Sequence, residues 1–237
     1  MITVYSVCTW NKYHPGYVYA LRDMVAKYLT IPHEFKCITN LHLPGIHCLK
    51  PPVPYFSWWS KIGLFYPGIA TGPSIYFDLD VVIVGNINYI VGWAENAEFS
   101  AAENWAESGH GGVQSSVMAW KGQWYEPYYR IKPLWSSRED LESGYTILDG
   151  KEYWGDQEFI GSIVGDKWSR ILHIGSYKYH VRPYQKIPDW MRVCVFHGEP
   201  KPSDVKDPWI LPYISVLHSH IKESTDNGSL KDLSISV

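Results

Sequence analysis

The chain has 237 residues, 46% of them apolar, and a formal net charge of −3 at pH 7, enough apolar material for one sizeable core. No basic run supplies the electrostatic footprint of a nucleic-acid or anionic-membrane binder, and no stretch approaches the roughly 18 consecutive apolar residues of a membrane span. The start, MITVYSVCTW, lacks the basic and apolar regions of a secretion signal, and four scattered cysteines suit reduced thiols, so a cytosolic protein without a membrane span is expected.

ITVYSVCT (residues 2–9) is apolar and β-branched and predicts a first strand. In YVYALRDMVAKYL, Val18, Leu21, Val25 and Leu29 recur at helical spacing, which predicts an amphipathic helix. EFKCITN predicts a second strand, so the chain opens strand–helix–strand, the pattern of a parallel sheet. Next comes a Pro-rich loop (43–54); Cys37, His42, His47 and Cys48 around it match no familiar zinc spacing. SWWSKIGLF predicts a helix capped by Ser57. SIYFDLDVVIVGN (residues 74–86) predicts a buried strand, EFSAAEN and QSSVMAW two more, and GDQEFIGSIVG a helix opened by Gly155-Asp156. RVCVFHG is a late strand that GEPKPSD cannot continue. Residues 1–220 form the expected domain, with 221–237 a polar, frayed tail.

Two carboxylates, Asp78 and Asp80, interrupt the apolar run at 74–86. A bare Asp-x-Asp arises easily by chance, but its position at the end of a parallel strand is where ligand clefts form. Strand alternation puts both on one side, where they repel each other and are costly to desolvate unless a cation joins them. Hard oxygen ligands suit Mg²⁺ or Mn²⁺. Two surface carboxylates at a bend are the plain alternative. Two chemistries use such a site: the haloacid dehalogenase-like phosphatases, whose nucleophile strand also reads FDLD, and nucleotide-sugar transfer. A strand–helix–strand unit precedes the motif here and Val81-Val82 follow it, which departs from the phosphatase pattern.

WWSKIGLF (58–65), IYFDLDVVIVGNI (75–87), WGDQEFI (154–160) and VFHGEPKPSDV (195–205), with SSVMAW (115–120) as a weaker fifth, occur in this order. The ordered set resembles the GT-A-fold glycosyltransferases of the glycogenin and lipopolysaccharide galactosyltransferase family, especially its short phage and bacterial versions. The resemblance implies an α/β fold: a single GT-A (Rossmann-like) domain with a mostly parallel central sheet flanked by helices. It implies a donor that is a nucleotide diphosphate sugar, expected to be a UDP-sugar, and transfer with retention. Asp80 would be the principal metal ligand, with Asp78 sharing the metal or holding the ribose. His197 would complete the set and tilt it from Mg²⁺ towards Mn²⁺. Lys201 and Lys61 would reach the diphosphate, with Gly198 beside them. Thr9, Asn11 and Tyr13 would hold the base and ribose. Gln114, standing where relatives often carry Asn, would meet the donor sugar, and Asp156 and Gln157 the acceptor or the reacting sugar. An N-cap role for Asp156 is compatible with that. SYKYH (176–180) also recurs among the short relatives, with no role that its residue types suggest. The phage resemblance makes a hydroxymethylated DNA base one candidate acceptor, in host cytoplasm, with Lys121, Arg130, Lys132, Arg138, Lys178, Arg182 and Lys186 either a local basic patch or scattered solvated cations; a surface glycan, a lipid-linked sugar or a protein hydroxyl are the others. A catalytically inactive nucleotide-sugar binding module is a third reading.

Overall fold

The computed structural model describes residues 1–9, 13–52, 57–105, 112–131, 146–148 and 150–226. Strand β1 (Ile2–Cys8) leads through helix α1 (Gly16–Tyr28) to β2 (His33–Thr39), which runs parallel to β1. Strand β3 (His47–Leu49) is a short parallel neighbour of β2. The segment Ser57–Phe65 is helical as expected, in the 3-10 form. Its buried Trp59, Ile62 and Phe65 lie three residues apart, and a three-residue repeat keeps them on one face. The cap expected of the Ser57 side chain lies outside the described residues.

Strand β4 (Pro73–Phe77) pairs parallel with β1. Then come β5 (Val81–Ile83), α2 (Tyr89–Asn96), β6 (Ser100–Glu103), β7 (Val113–Lys121) and α3 (Glu126–Ile131). The antiparallel pair β8 (Thr146–Leu148) and β9 (Lys151–Tyr153) precedes α4 (Asp156–Val164). Strands β10 (Ser169–Arg170) and β11 (Ile174–Ser176), a π-helical turn (Tyr177–Val181) and β12 (Val193–Val195) follow. Helix α5 (Leu211–Asp226) is the last described element.

The main sheet has the order β10-β6-β7-β4-β1-β2-β3. It is parallel except where β7 runs antiparallel to both β4 and β6. Alternation along the strands sorts the core into two layers. Val4, Ile75, Phe77, Val117 and Ala119 face the layer that includes Leu21, Val25 and Leu217 from α1 and α5. Tyr5, Tyr76, Met118 and Trp120 face the layer built on Trp59, Ile62 and Phe65 with Phe159 and Ile160 of α4. Burying each such large side chain contributes about 1.5–3 kcal/mol.

The run at 74–86 is two strands, not one. β4 belongs to the main sheet and β5 to a second sheet of order β11-β12-β5. Asp78, Leu79 and Asp80 are the crossing. The Asp78 N–H donates to Ser116 O across the main sheet (2.9 Å), while Asp80 O accepts from Phe196 N in the second (3.1 Å). Both bonding ladders are thus satisfied through the break, and Leu79 anchors it, 2% exposed. The shared side of the two aspartates therefore comes from a turn rather than from strand pleating.

The tail expected from residue 221 is helical as far as Asp226. His220 Nε2 lies 2.8 Å from Asp23 Oδ2 on α1, and Ile221 packs on Gly16, where a Cβ would lie 2.8 Å from Ile221 Cγ1. Among the described residues no helix is long and apolar enough to cross a membrane.

Candidate active site

A cleft of about 650 Å³ opens at the carboxyl edge of β1, β4 and β12, and its wall includes Thr9, Tyr13, Asp78, Asp80, His197 and Lys201. β7 runs the other way, so its beginning, Gln114–Ser116, lies at the same edge. Asp156, Gln157 and Glu158 at the start of α4 close one end. Every expected site residue among the described ones lines this cleft; Asn11 lies outside the described residues.

Two lysine–carboxylate clusters share the floor. In the first, Lys61 Nζ lies 2.7 Å from Asp156 Oδ2 and 3.1 Å from Asp78 Oδ1. It also donates to Ser115 Oγ at 3.0 Å. Tyr76 Oη donates to Asp78 Oδ1 (2.6 Å), and Ser115 Oγ donates to Asp156 Oδ2 (2.8 Å). Burial alone would pull the Lys61 ammonium down, but the Asp156 and Asp78 charges hold its pKa above the usual lysine value. Burial pushes the Asp78 carboxyl up, yet Lys61, aided by hydrogen bonds from Ser116 and Tyr76, leaves it below the ordinary range. Lys61 is thus a buried ion-pair residue, and its charge is committed to two carboxylates rather than free for a diphosphate.

In the second cluster, Asp80 Oδ2 accepts from Tyr13 Oη at 2.7 Å and from Lys201 Nζ at 2.9 Å. Burial and the neighbouring Asp78 charge raise the Asp80 pKa despite Lys201. Burial and Asp80 likewise raise that of the Tyr13 phenol, which stays a donor. His197 Nε2 lies 2.7 Å from Ser176 Oγ, and its ring is flanked by Trp105 and Tyr179, stacked at 6.2 and 5.7 Å. Burial, with the charges of Lys178 and Lys201, lowers the His197 pKa and favours the neutral imidazole a metal requires.

Thr9 Oγ1 donates to Ser60 Oγ at 2.7 Å. Gln114 folds back on its own strand: its carbonyl accepts from Ser116 N (2.7 Å) and its amide donates to Ser116 Oγ (2.9 Å). Gly155, not Asp156, occupies the cap position of α4, so Asp156 is left to bind Lys61. Gln157 Oε1 accepts from Ser115 N at 3.4 Å.

In donor chemistry and charge the site fits a hard divalent cation. Asp78, Asp80 and Asp156 face only Lys61 and Lys201 within the two clusters, leaving surplus negative charge beside a neutral imidazole. The fit is one of kind, not of a finished ligand shell. Among the described residues no three His, Cys, Asp or Glu side chains are gathered closely enough to hold a metal ion; ammonium groups sit on the carboxylates and Ser176 on His197.

No protein-family model matches the chain, and no curated protein matches it. Solved structures do. The glycosyltransferase GlyE of Streptococcus pneumoniae TIGR4 superimposes with a TM-score of 0.64 at 12% identity, over 97% of this chain and 65% of that one. The galactosyltransferase LgtC, solved with donor and acceptor sugar analogs, gives 0.60 at 12% identity over 92% of this chain and 96% of its own. The bifunctional glycosyltransferase WbbM gives 0.58 at 9% identity, over 94% and 51%. The chain has the GT-A glycosyltransferase fold. It spans just under two thirds of GlyE and about half of WbbM.

Several residues that build the site of this GT-A chain carry no signal of their own in the sequence. Tyr76 and Ser115 read as strand residues, yet each donates to a cleft aspartate. Trp58 and Trp154, 37% and 64% exposed, flank Gly155 at the cleft mouth. Ser176 fixes the His197 ring; SYKYH was its only trace. Of the cations proposed for a nucleic-acid surface, Lys132 and Arg138 lie outside the described residues.

Proposed function

We propose that the chain is a metal-dependent glycosyltransferase that moves a sugar from a nucleotide diphosphate sugar, a UDP-sugar first among the candidates, to an acceptor hydroxyl with retention. The observation that carries the reading is the convergence in one cleft of Asp78 and Asp80 with His197 and Lys201, which follow more than a hundred residues later. Asp80 and Asp78, with His197, would hold Mn²⁺ or Mg²⁺, which when bound supplies Lewis acidity to the leaving diphosphate. Thr9 and Tyr13, which line the cleft, would hold the base and ribose, together with Asn11 as the sequence resemblance implies. Lys201, held by the Asp80 carboxylate and the Tyr13 phenol, would turn to the diphosphate as negative charge builds on it. The acceptor oxygen bonds to the anomeric carbon as the carbon–oxygen bond to the diphosphate breaks, and the acceptor proton passes to the leaving phosphate oxygen. Asp156 is tied to Lys61 and Ser115. That suits it to stabilising positive charge on the sugar ring; a general base would need a less encumbered carboxylate. Gln114 and Gln157 would orient the sugar.

At the acceptor end, Trp58 and Trp154 offer flat faces beside Asp156 and Glu158. Aromatic faces with hydroxyl acceptors favour a neutral saccharide over polyanionic DNA. The four cysteines are free thiols, which suits the cytoplasm.

A hydrolysis screen across nucleotide sugars with Mn²⁺ tests the reading. Slow turnover of one donor, abolished in Asp80→Asn, is the expected result. Turnover of simple phosphate esters through an aspartyl-phosphate on Asp78 would replace it with phosphatase chemistry. Nucleotide-sugar binding without turnover towards any acceptor would reduce the chain to a binding module. Mass spectrometry of products from oligosaccharides, hydroxymethylated DNA and lysate identifies the acceptor.

A further inference from the structure

We propose that Lys178, carried on the Ser176–His180 turn, is an additional binding residue for the donor diphosphate. The inference rests on the nucleotide-sugar reading above and adds a residue to it.

The turn grips the loop that carries His197. Ser176 Oγ meets His197 Nε2 at 2.7 Å, and Ser176 also caps the turn by accepting from Tyr179 N. The Tyr177 ring stacks on Phe196 with centroids 4.5 Å apart and planes 13° from parallel. The Tyr179 ring stacks on His197. His180 Nδ1 accepts from Ser176 N at 2.9 Å and holds the turn closed. Between these contacts Lys178 reaches Gly198, where a Cβ would lie 3.2 Å from Lys178 Nζ. Gly198 itself lines the cleft with φ +69°. The positive φ favours glycine there, and the Lys178 ammonium lies against the space a side chain would enter. A π-helical turn is a rare local structure that is frequent at functional sites.

Charge decides what this ammonium is for. Lys61 is committed to Asp156 and Asp78, and Lys201 to Asp80. Among the described residues Lys178 makes no hydrogen bond and no ion pair. Its ammonium lies beside Gly198, and Lys201 lines the same cleft as Gly198 and His197. Two ammonium groups therefore converge on the His197–Gly198 wall, and one of them has no carboxylate. An anion arriving there relieves their repulsion and satisfies donors that otherwise face water. Of the parts of a nucleotide sugar, only the diphosphate has that charge.

Calorimetric titration of the whole chain with UDP, GDP, ADP and CDP in the presence of Mn²⁺ identifies the nucleotide and then tests the residue. Lys178→Met is expected to weaken the diphosphate that binds by about tenfold, with the melting temperature held to within about 2 °C. Lys178→Arg should retain affinity to within about threefold, and the Met deficit should shrink at high salt as the lost charge is screened. A deficit below about twofold in Lys178→Met would mark Lys178 as solvated surface. An equal loss in Lys178→Arg, or a deficit untouched by salt, would mark a packing role; either result overturns the proposal. Binding of none of the four diphosphates by the unaltered chain would bring down the transferase reading and the proposal with it.

Discussion

The two lysine–carboxylate clusters under the cleft use the same chemistry for opposite ends. Lys61 is 6% exposed, holds two carboxylates and a serine, and sits beneath the β4–β7 seam. Lys201 is 24% exposed, holds one carboxylate and one phenol, and comes from a loop beyond β12. A saturated buried pair fixes backbone geometry and is costly to break, whereas a partly solvated pair exchanges partners at little cost. The first cluster is scaffold for Asp78 and Asp156. The second is the part that, under the proposed function, would reorganise when an anionic donor and its cation arrive. The pKa directions agree: Asp78 is held below the ordinary carboxylate range, while Asp80 is pushed above it.

That contrast is broken or sharpened by substitution. Asp80→Asn should reduce donor turnover by about a thousandfold, a loss of roughly 4 kcal/mol in transition-state stabilisation. Its stability should hold or rise, because the ionised Asp80 carries burial and repulsion that Lys201 does not fully offset; denaturant unfolding beside a kinetic assay reads both. Lys61→Met should do the reverse in kind. Leaving Asp78 and Asp156 buried without their cation costs about 3–5 kcal/mol, a fall in melting temperature on the order of 10 °C; an unchanged melting point would show the cluster to be decorative. Lys201→Met should raise the donor KM by about tenfold to a hundredfold and move the melting temperature by less than about 3 °C. A melting shift as large as that of Lys61→Met would erase the distinction between the clusters. Ser176→Ala should weaken Mn²⁺-dependent turnover by about tenfold, the usual effect of releasing the outer partner of a ligating histidine. Raising the Mn²⁺ concentration should restore most of it, which a purely structural loss would not allow.

Much of the fold was legible because periodicity survives in the sequence. The apolar spacing of Val18, Leu21 and Val25 and the β-branched run before it placed β1, α1 and β2. The late strand was equally plain, since RVCVFHG is apolar and then stopped by glycine and proline. The break at Asp78–Asp80 was not, because a strand that changes sheets keeps its apolar character on both sides of the change. Helix α5 was hidden by its serines and histidines, modest helix formers, although Tyr213 and Leu217 recur at the right interval. Lys61 looked like a surface lysine because its partners, Asp78 and Asp156, stand 17 and 95 positions away. In SYKYH the side chains of Ser176, Tyr177 and Tyr179 answer to a loop some twenty residues downstream. No local pattern encodes such a partner.

The sheet change at Asp78–Asp80 also orders the birth of the site during synthesis. A nascent chain can assemble β1, α1, β2 and β4 as soon as they emerge, since those pairings are close in sequence. Val81–Ile83 must wait for Val193–Val195 to pair, and Asp80 waits for Lys201, 121 residues later. Contacts of that separation close late. The edge that carries Thr9 and Tyr13 can therefore fold on the ribosome while the loop that carries His197 and Lys201 is still unmade, so a stalled or truncated polypeptide carries only one side of the cleft.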